Sequence, residues 1–235
     1  LILEDLYENS FSILFFYERR FRRIIPVFVI VLIFSLCMGW IFLVPGDFKS
    51  LSFTSITSIV FGSNILFSSQ DNYLLGDIFD YQLLHTWSLS VEEQFYIIFP
   101  VVLLITFKYF RKYLISLLIF IFVVSLSLAE WGSRNYASAT FYFLYSRIWE
   151  LLAGSILAYF EIILGHRGKQ KIFNLIFPSI GLILIGLSIL FFNNQMLHPS
   201  FLTLSPIIGV CLIIWFSNKG ELVTKLLSTK LFVGI

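Results

Sequence analysis

The stretch Leu84-His85-Thr86-Trp87-Ser88-Leu89-Ser90-Val91-Glu92-Glu93-Gln94-Phe95-Tyr96 leads straight into the apolar run Ile97 to Phe107. A histidine, Ser and Thr hydroxyls, two adjacent carboxylates and an amide stand at the head of a segment apolar enough to enter a bilayer. Ionisable groups at membrane depth cost several kcal/mol unless paired or solvated, so they mark function by default. The run below them decides the architecture: it is one of several in the chain, and together they specify an all-α, polytopic transmembrane helix bundle.

Composition agrees. Hydrophobic residues make up 58% of the chain and charged residues 13%, against about 45–50% and about 25% in soluble domains. Mean hydropathy is +0.90. The 28 Phe, 11 Tyr and 5 Trp supply lipid-facing and interfacial aromatic surface. Cys37 and Cys211 each sit inside an apolar run, where they read as small apolar residues and not as a disulfide or a metal site. No CxxC, Walker loop or GxGxxG is present, which argues against a soluble nucleotide-binding domain. No metal and no nucleic-acid partner are expected.

Working outward, Arg19-Arg20-Phe21-Arg22-Arg23 is the densest charge in the chain and precedes an apolar run from Ile24 to Val44. As a helix that run is about 31 Å long, enough for a bilayer core. Pro26 is read as lying in its first turn, where a missing N–H is harmless. Pro45-Gly46-Asp47 ends it. Residues 51–69 are apolar but rich in Ser, Thr, Asn and Gly, and 70–84 form a polar loop. Further spans are expected at about 88–107, 113–129, 145–163, 172–192 and 203–217.

Charge sets the topology. If 51–69 dips in and returns to the same side, 13 Lys and Arg residues face one side and 3 the other. If it spans, the count becomes 6 against 10. The positive-inside rule selects the first. The expectation is therefore six full spans plus a re-entrant or partial helix at 51–69, with the arginine cluster cytoplasmic and the His85–Glu93 stretch facing outward or in a cavity opening outward.

Three groups of residues carry candidate chemistry, each with a structural reading beside it. Arg19, Arg20, Arg22 and Arg23 serve topology and lipid headgroups on one reading; on the other they form an anion site for a phosphate-bearing donor. Ser90-Val91-Glu92-Glu93 matches a capping box, with Glu93 reaching back to the Ser90 N–H. Capping has no use for Glu92, and if the helix extends upstream, His85 and Glu92 share nearly one face, where a carboxylate could orient a histidine as a general base. Arg147 and Glu150, three residues apart, form a helical ion pair, or Arg147 balances Glu92 or Glu93. His166 and His198 fall in loops and read as solvated.

These stretches also resemble a family. Phe16-Tyr17-Glu18-Arg19-Arg20-Phe21-Arg22-Arg23-Ile24-Ile25-Pro26, His85 through Tyr96, and Ser146-Arg147-Ile148-Trp149-Glu150-Leu151-Leu152-Ala153-Gly154 resemble, in order, signatures of the acyltransferase-3 family of bacterial integral membrane acyltransferases. The resemblance covers essentially all of residues 1–235 as a single membrane domain. It implies an acyl-CoA donor, usually acetyl-CoA, taken from the cytoplasm, with no bound cofactor. It implies an acceptor hydroxyl on an exported glycan or lipid-linked saccharide, such as lipopolysaccharide or peptidoglycan, and residence in the bacterial inner membrane among its lipids. By position, Arg19, Arg20 and Arg23 match the family's arginine motif for donor binding, and Glu92 and Glu93 match its paired glutamates; with His85 they form the candidate catalytic set. The family's leading catalytic histidine belongs to an earlier helix, and its motif is not found in a membrane segment here. The chain therefore reads as an internal piece, truncated at both ends and inactive alone. The alternative class is a glycan or lipid transporter, whose buried charges would line a path without covalent chemistry.

Overall fold

The computed structural model describes residues 2–8, 10–69, 82–165, 171–193, 196–217 and 222–230. All regular structure among them is helical. They group into two compact units, residues 1–114 with 141–144, and residues 115–140 with 145–235.

In the first unit, α1 (Ile2–Tyr7) lies against the far end of α5 (Thr86–Phe110). Tyr7 meets Phe107 edge-on at 5.2 Å, and the Arg111 guanidinium covers both rings at 4.4 and 4.5 Å. The long helix α2 (Ile13–Phe42) starts at Ser12, whose hydroxyl accepts the Phe15 N–H. It runs through the arginine cluster without a break, so Pro26 stands in mid-helix and not in a first turn. The lost N–H leaves the Arg22 carbonyl without its helical donor. The sequence reading placed the start too late because it took the charged residues for a boundary.

Leu43 turns extended, and Pro45 begins α3 (Pro45–Ile59), where its lack of an N–H costs nothing. Gly39 lets α3 close on α2: a Cβ there would stand 2.4 Å from the Leu51 side chain. Phe28, Leu32, Leu51 and Leu83 form the buried cluster between them. The segment expected to dip is two helices, α3 and α4 (Ser63–Ser69), broken at Val60–Gly62 with Phe61 at φ 51°. At about 1.5 Å per residue neither reaches across a bilayer core. The polar 70–84 loop lies mostly outside the described residues, as does His166.

The second unit begins in α6 (Leu114–Asn135), which a 3₁₀ turn at Arg111–Tyr113 joins to α5. It continues through α7 (Ala137–Tyr142), α8 (Ile148–Leu164), α9 (Lys171–Phe191), α10 (Leu204–Phe216) and α11 (Leu222–Leu227). Trp149 is fully buried among Leu126, Ala129 and Phe122. The Ser125 hydroxyl donates to the Tyr145 carbonyl and accepts the Trp149 N–H, serving the uncapped start of α8. Glu130 accepts the Phe201 N–H at 2.9 Å and pairs with Arg134, fixing the turn that leads into α10. Helices α9 and α10 touch backbone to backbone at Gly181 and Gly209.

Length and apolarity qualify Ile13–Phe42, the continuous Thr86–Asn135 and Phe173–Phe191 as membrane-crossing, and Phe201–Phe216 is a shorter apolar helix. The chain is an integral membrane protein.

Candidate functional site

The site sits in the first unit, where α5 meets α2 and the α3–α4 break. α5 starts at Thr86 and not near Ser88, with His85 as its N-cap residue. Ser90 is therefore a full turn inside the helix, and its hydroxyl donates to the Thr86 carbonyl at 3.1 Å. The capping-box reading fails for that reason: Glu93 has no free helix end to cap.

Thr86, Ser90 and Gln94 are spaced four apart and form one polar face of α5. They bond to the broken helix. Thr86 meets Ser58 at 2.9 Å and Ser63 at 3.1 Å, and Ser90 meets Ser63 at 2.8 Å. Gln94 and Asn64 exchange amide hydrogen bonds at 2.9 and 3.3 Å. Gln94 Nε2 also donates to the Phe61 carbonyl at 2.9 Å, and Asn64 Nδ2 donates to the Tyr142 carbonyl at 3.2 Å. Ser58, Ser63, Asn64, Thr86 and Ser90 are all buried. Buried polar groups so satisfied fix one arrangement.

One residue along, α5 turns a different face to α2. Glu93, Ile97 and Phe61 line a cavity with Tyr17, Arg20, Phe21, Ile24 and Ile25, with about 40 Å³ of water-accessible volume. Glu93 Oε1 and Arg20 Nε are buried and hydrogen-bond to nothing, although each is the kind of group that costs several kcal/mol when left so. Arg20 stacks on the Tyr96 ring with its guanidinium carbon 3.0 Å from the centroid. Tyr17 donates its hydroxyl to the Ile97 carbonyl at 3.1 Å, tying α2 to α5 beside the cavity.

The arginines do not act as one cluster. Arg19 faces Asp5 at 3.7 Å, and Arg22 bonds Glu18 at 2.7 Å. Arg20 turns inward to the cavity, and Arg23 is exposed. Of the catalytic candidates, Glu93 reaches the cavity, while His85 and Glu92 are exposed.

In the second unit Arg147 bonds Glu150 at 3.2 Å, both half-buried, so the i, i+3 pair forms. His198 is partly buried, with its ring 5.3 Å from Phe192. Burial, and then the Arg147 cation, hold its imidazole below the usual range.

Tyr17, Phe61, Asn64, Gln94 and Tyr96 escaped the sequence reading as site residues. The spacing of Thr86, Ser90 and Gln94 was the available signal, since polar residues at every fourth position of an apolar helix need a partner.

The acyltransferase-3 family, described as an acyltransferase domain, matches residues 6–229. An uncharacterized protein of Haemophilus influenzae is 29% identical over 94% of this chain and 94% of that protein. A putative membrane-bound transacylase, BcsY, of Komagataeibacter xylinus is 27% identical over 89% of this chain and 53% of its own length. The peptidoglycan O-acetyltransferase OatA of Listeria monocytogenes is 34% identical over 61% of this chain and 24% of its own length. The chain thus corresponds to about half of the transacylase and a quarter of the O-acetyltransferase. No solved structure matches. The chain belongs to the acyltransferase-3 family.

Proposed function

We propose that this member of the acyltransferase-3 family is the core of a multi-pass O-acyltransferase of the bacterial inner membrane. It moves an acyl group, acetyl in the first instance, from cytosolic acyl-CoA to a hydroxyl of an exported glycan or lipid-linked saccharide. The observation that carries the reading is the pair of polar atoms without hydrogen bonds, Arg20 Nε and Glu93 Oε1, at a cavity whose lining is otherwise mostly apolar. The names of the Listeria and Komagataeibacter relatives support the reaction class.

In the reaction the acceptor oxygen bonds to the thioester carbonyl carbon and the carbon–sulfur bond breaks. The hydroxyl proton passes to a base, and the departing CoA sulfur ends as a thiol. In this reading Arg20 Nε donates to an acyl oxygen that gains charge, and Glu93 accepts a proton or orients the group that does. Arg19 and Arg23, about one turn of α2 apart with Arg20 between them, supply positive charge for donor phosphates. His85 and Glu92, both exposed, would meet the acceptor.

The test is transfer of label from acetyl-CoA, added on the cytoplasmic side of vesicles holding the intact protein, into glycan. Labelled glycan that disappears with Arg20→Ala and with Glu93→Gln, at unchanged protein level, supports the reading. Label indifferent to both substitutions removes these residues from the chemistry. Glycan crossing the membrane without any label would favour a transporter.

A further inference from the structure

We infer that Phe61 limits the length of the acyl group, and that the Gln94–Asn64 amide pair holds it in place to do so. The inference rests on the acyltransferase reading and concerns the same cavity.

Size is the first argument. A water needs about 10–15 Å³ of water-accessible volume, so the cavity's 40 Å³ is about three waters in size, the scale of an acetyl group. A longer acyl group has to reach beyond that space and press on the lining. Away from Arg20 and Glu93 the lining is mostly apolar, as an acyl methyl requires.

Rigidity is the second argument. A small cavity selects only if its wall cannot retreat. Phe21 is 54% exposed and free to swing. Phe61 is held from every side. Its backbone is at φ 51°, a region that bulky residues avoid and keep only when their surroundings impose it. Its N–H donates to the Ser58 carbonyl at 3.0 Å, and the Gly62 N–H beside it donates to the Thr57 carbonyl at 2.8 Å. Its carbonyl accepts from Gln94 Nε2 at 2.9 Å. Its ring stacks on Phe28 with centroids 6.2 Å apart.

The third argument is the division of labour along α5. Glu93 faces the cavity, and the next residue, Gln94, faces the break that carries the opposite wall. A single rigid helix therefore sets the distance between the carboxylate and Phe61. Gln94 and Asn64 are positioning residues: they touch no substrate and act through Phe61.

The experiment compares acetyl-CoA and butyryl-CoA as donors for the intact protein in membrane vesicles, reading kcat/KM for each. Wild type should strongly prefer acetyl. Phe61→Ala should move the ratio toward butyryl by roughly tenfold or more, since one methylene in an apolar pocket is worth about that much. Gln94→Leu should move the ratio the same way, which a merely structural role would not do. Phe61→Leu, a milder change, should give a smaller shift and carries the test if Phe61→Ala fails to accumulate. An unchanged ratio in the Phe61 variants at normal protein level overturns the inference, and so does a wild type that uses both donors equally. If wild type transfers neither acyl group, the acyltransferase reading itself has failed and takes this inference with it.

Discussion

Replacing Gly209 by alanine places a methyl where the Gly181 carbonyl of the neighbouring helix already stands. The added Cβ would lie 2.7 Å from that oxygen, 3.0 Å from Ile185 Cγ1 and 3.4 Å from Leu184 Cβ. The first neighbour is backbone and cannot rotate away, so α9 and α10 must separate by several tenths of an ångström. Overpacking of this kind costs about 1–3 kcal/mol. Against it stands a gain of about 0.5–1 kcal/mol, because alanine favours a helix over glycine. The net expectation is a loss of up to about 2 kcal/mol. Gly186 supplies the control: it lies on the same helix as Gly181, but a Cβ there meets nothing within 4 Å. Gly186→Ala keeps the gain without the clash, so the two variants should differ by about 1–3 kcal/mol. Unfolding by SDS in mixed micelles, followed by far-UV circular dichroism, measures both. If Gly209→Ala and Gly186→Ala unfold at the same SDS fraction, the close approach of the two helices is wrong.

Two further outcomes follow from the second unit. Glu150→Leu takes from the partly buried Arg147 cation the carboxylate it bonds; removing one partner of a fully buried pair costs about 3–5 kcal/mol, and solvent at this pair reduces that to about 1–3 kcal/mol. The double variant Arg147→Met with Glu150→Leu should recover most of the loss in the same assay, and no recovery would show that the pair is not what the leucine disturbs. For His198, burial and Arg147 depress the imidazole in the folded state, so the folded protein resists taking the proton. The contribution is full above the unfolded value of about 6.5 and declines as the pH falls below it. Unfolding temperature should drop between pH 7.5 and 5.5 and drop less in His198→Gln; equal slopes would exclude this histidine.

Helix class, the main apolar segments and the arginine cluster were legible because each rests on local composition. The apolar runs need no partner to be recognised, and a cluster of arginines is visible wherever it points. What the arginines do was not legible. Arg20 turns toward Tyr96 and Glu93, more than seventy positions away, while Arg19 finds Asp5. The capping box at Ser90 misled because its pattern is real but its context is not: the helix had already begun at Thr86, held by Ser58 and Ser63. Pro26 misled in the same way, since a proline after a charged stretch looks like a helix start unless Ser12 is recognised as the cap. The charge count argued against a full span at 51–69, and the segment is two helices, each too short to cross a bilayer core. Its partner face could be found only by pairing Ser and Asn residues with others some 23–30 positions later.

That pairing imposes an order on biogenesis. α3 and α4 leave the ribosome before α5, carrying hydroxyls and an amide that nothing yet made can satisfy. Until Thr86, Ser90 and Gln94 emerge, the stable place for this hairpin is the headgroup layer, where water serves those groups. α5 thus acts as an internal chaperone for the segment that precedes it, and the turn at Phe61 gains its carbonyl's partner only when the later helix arrives.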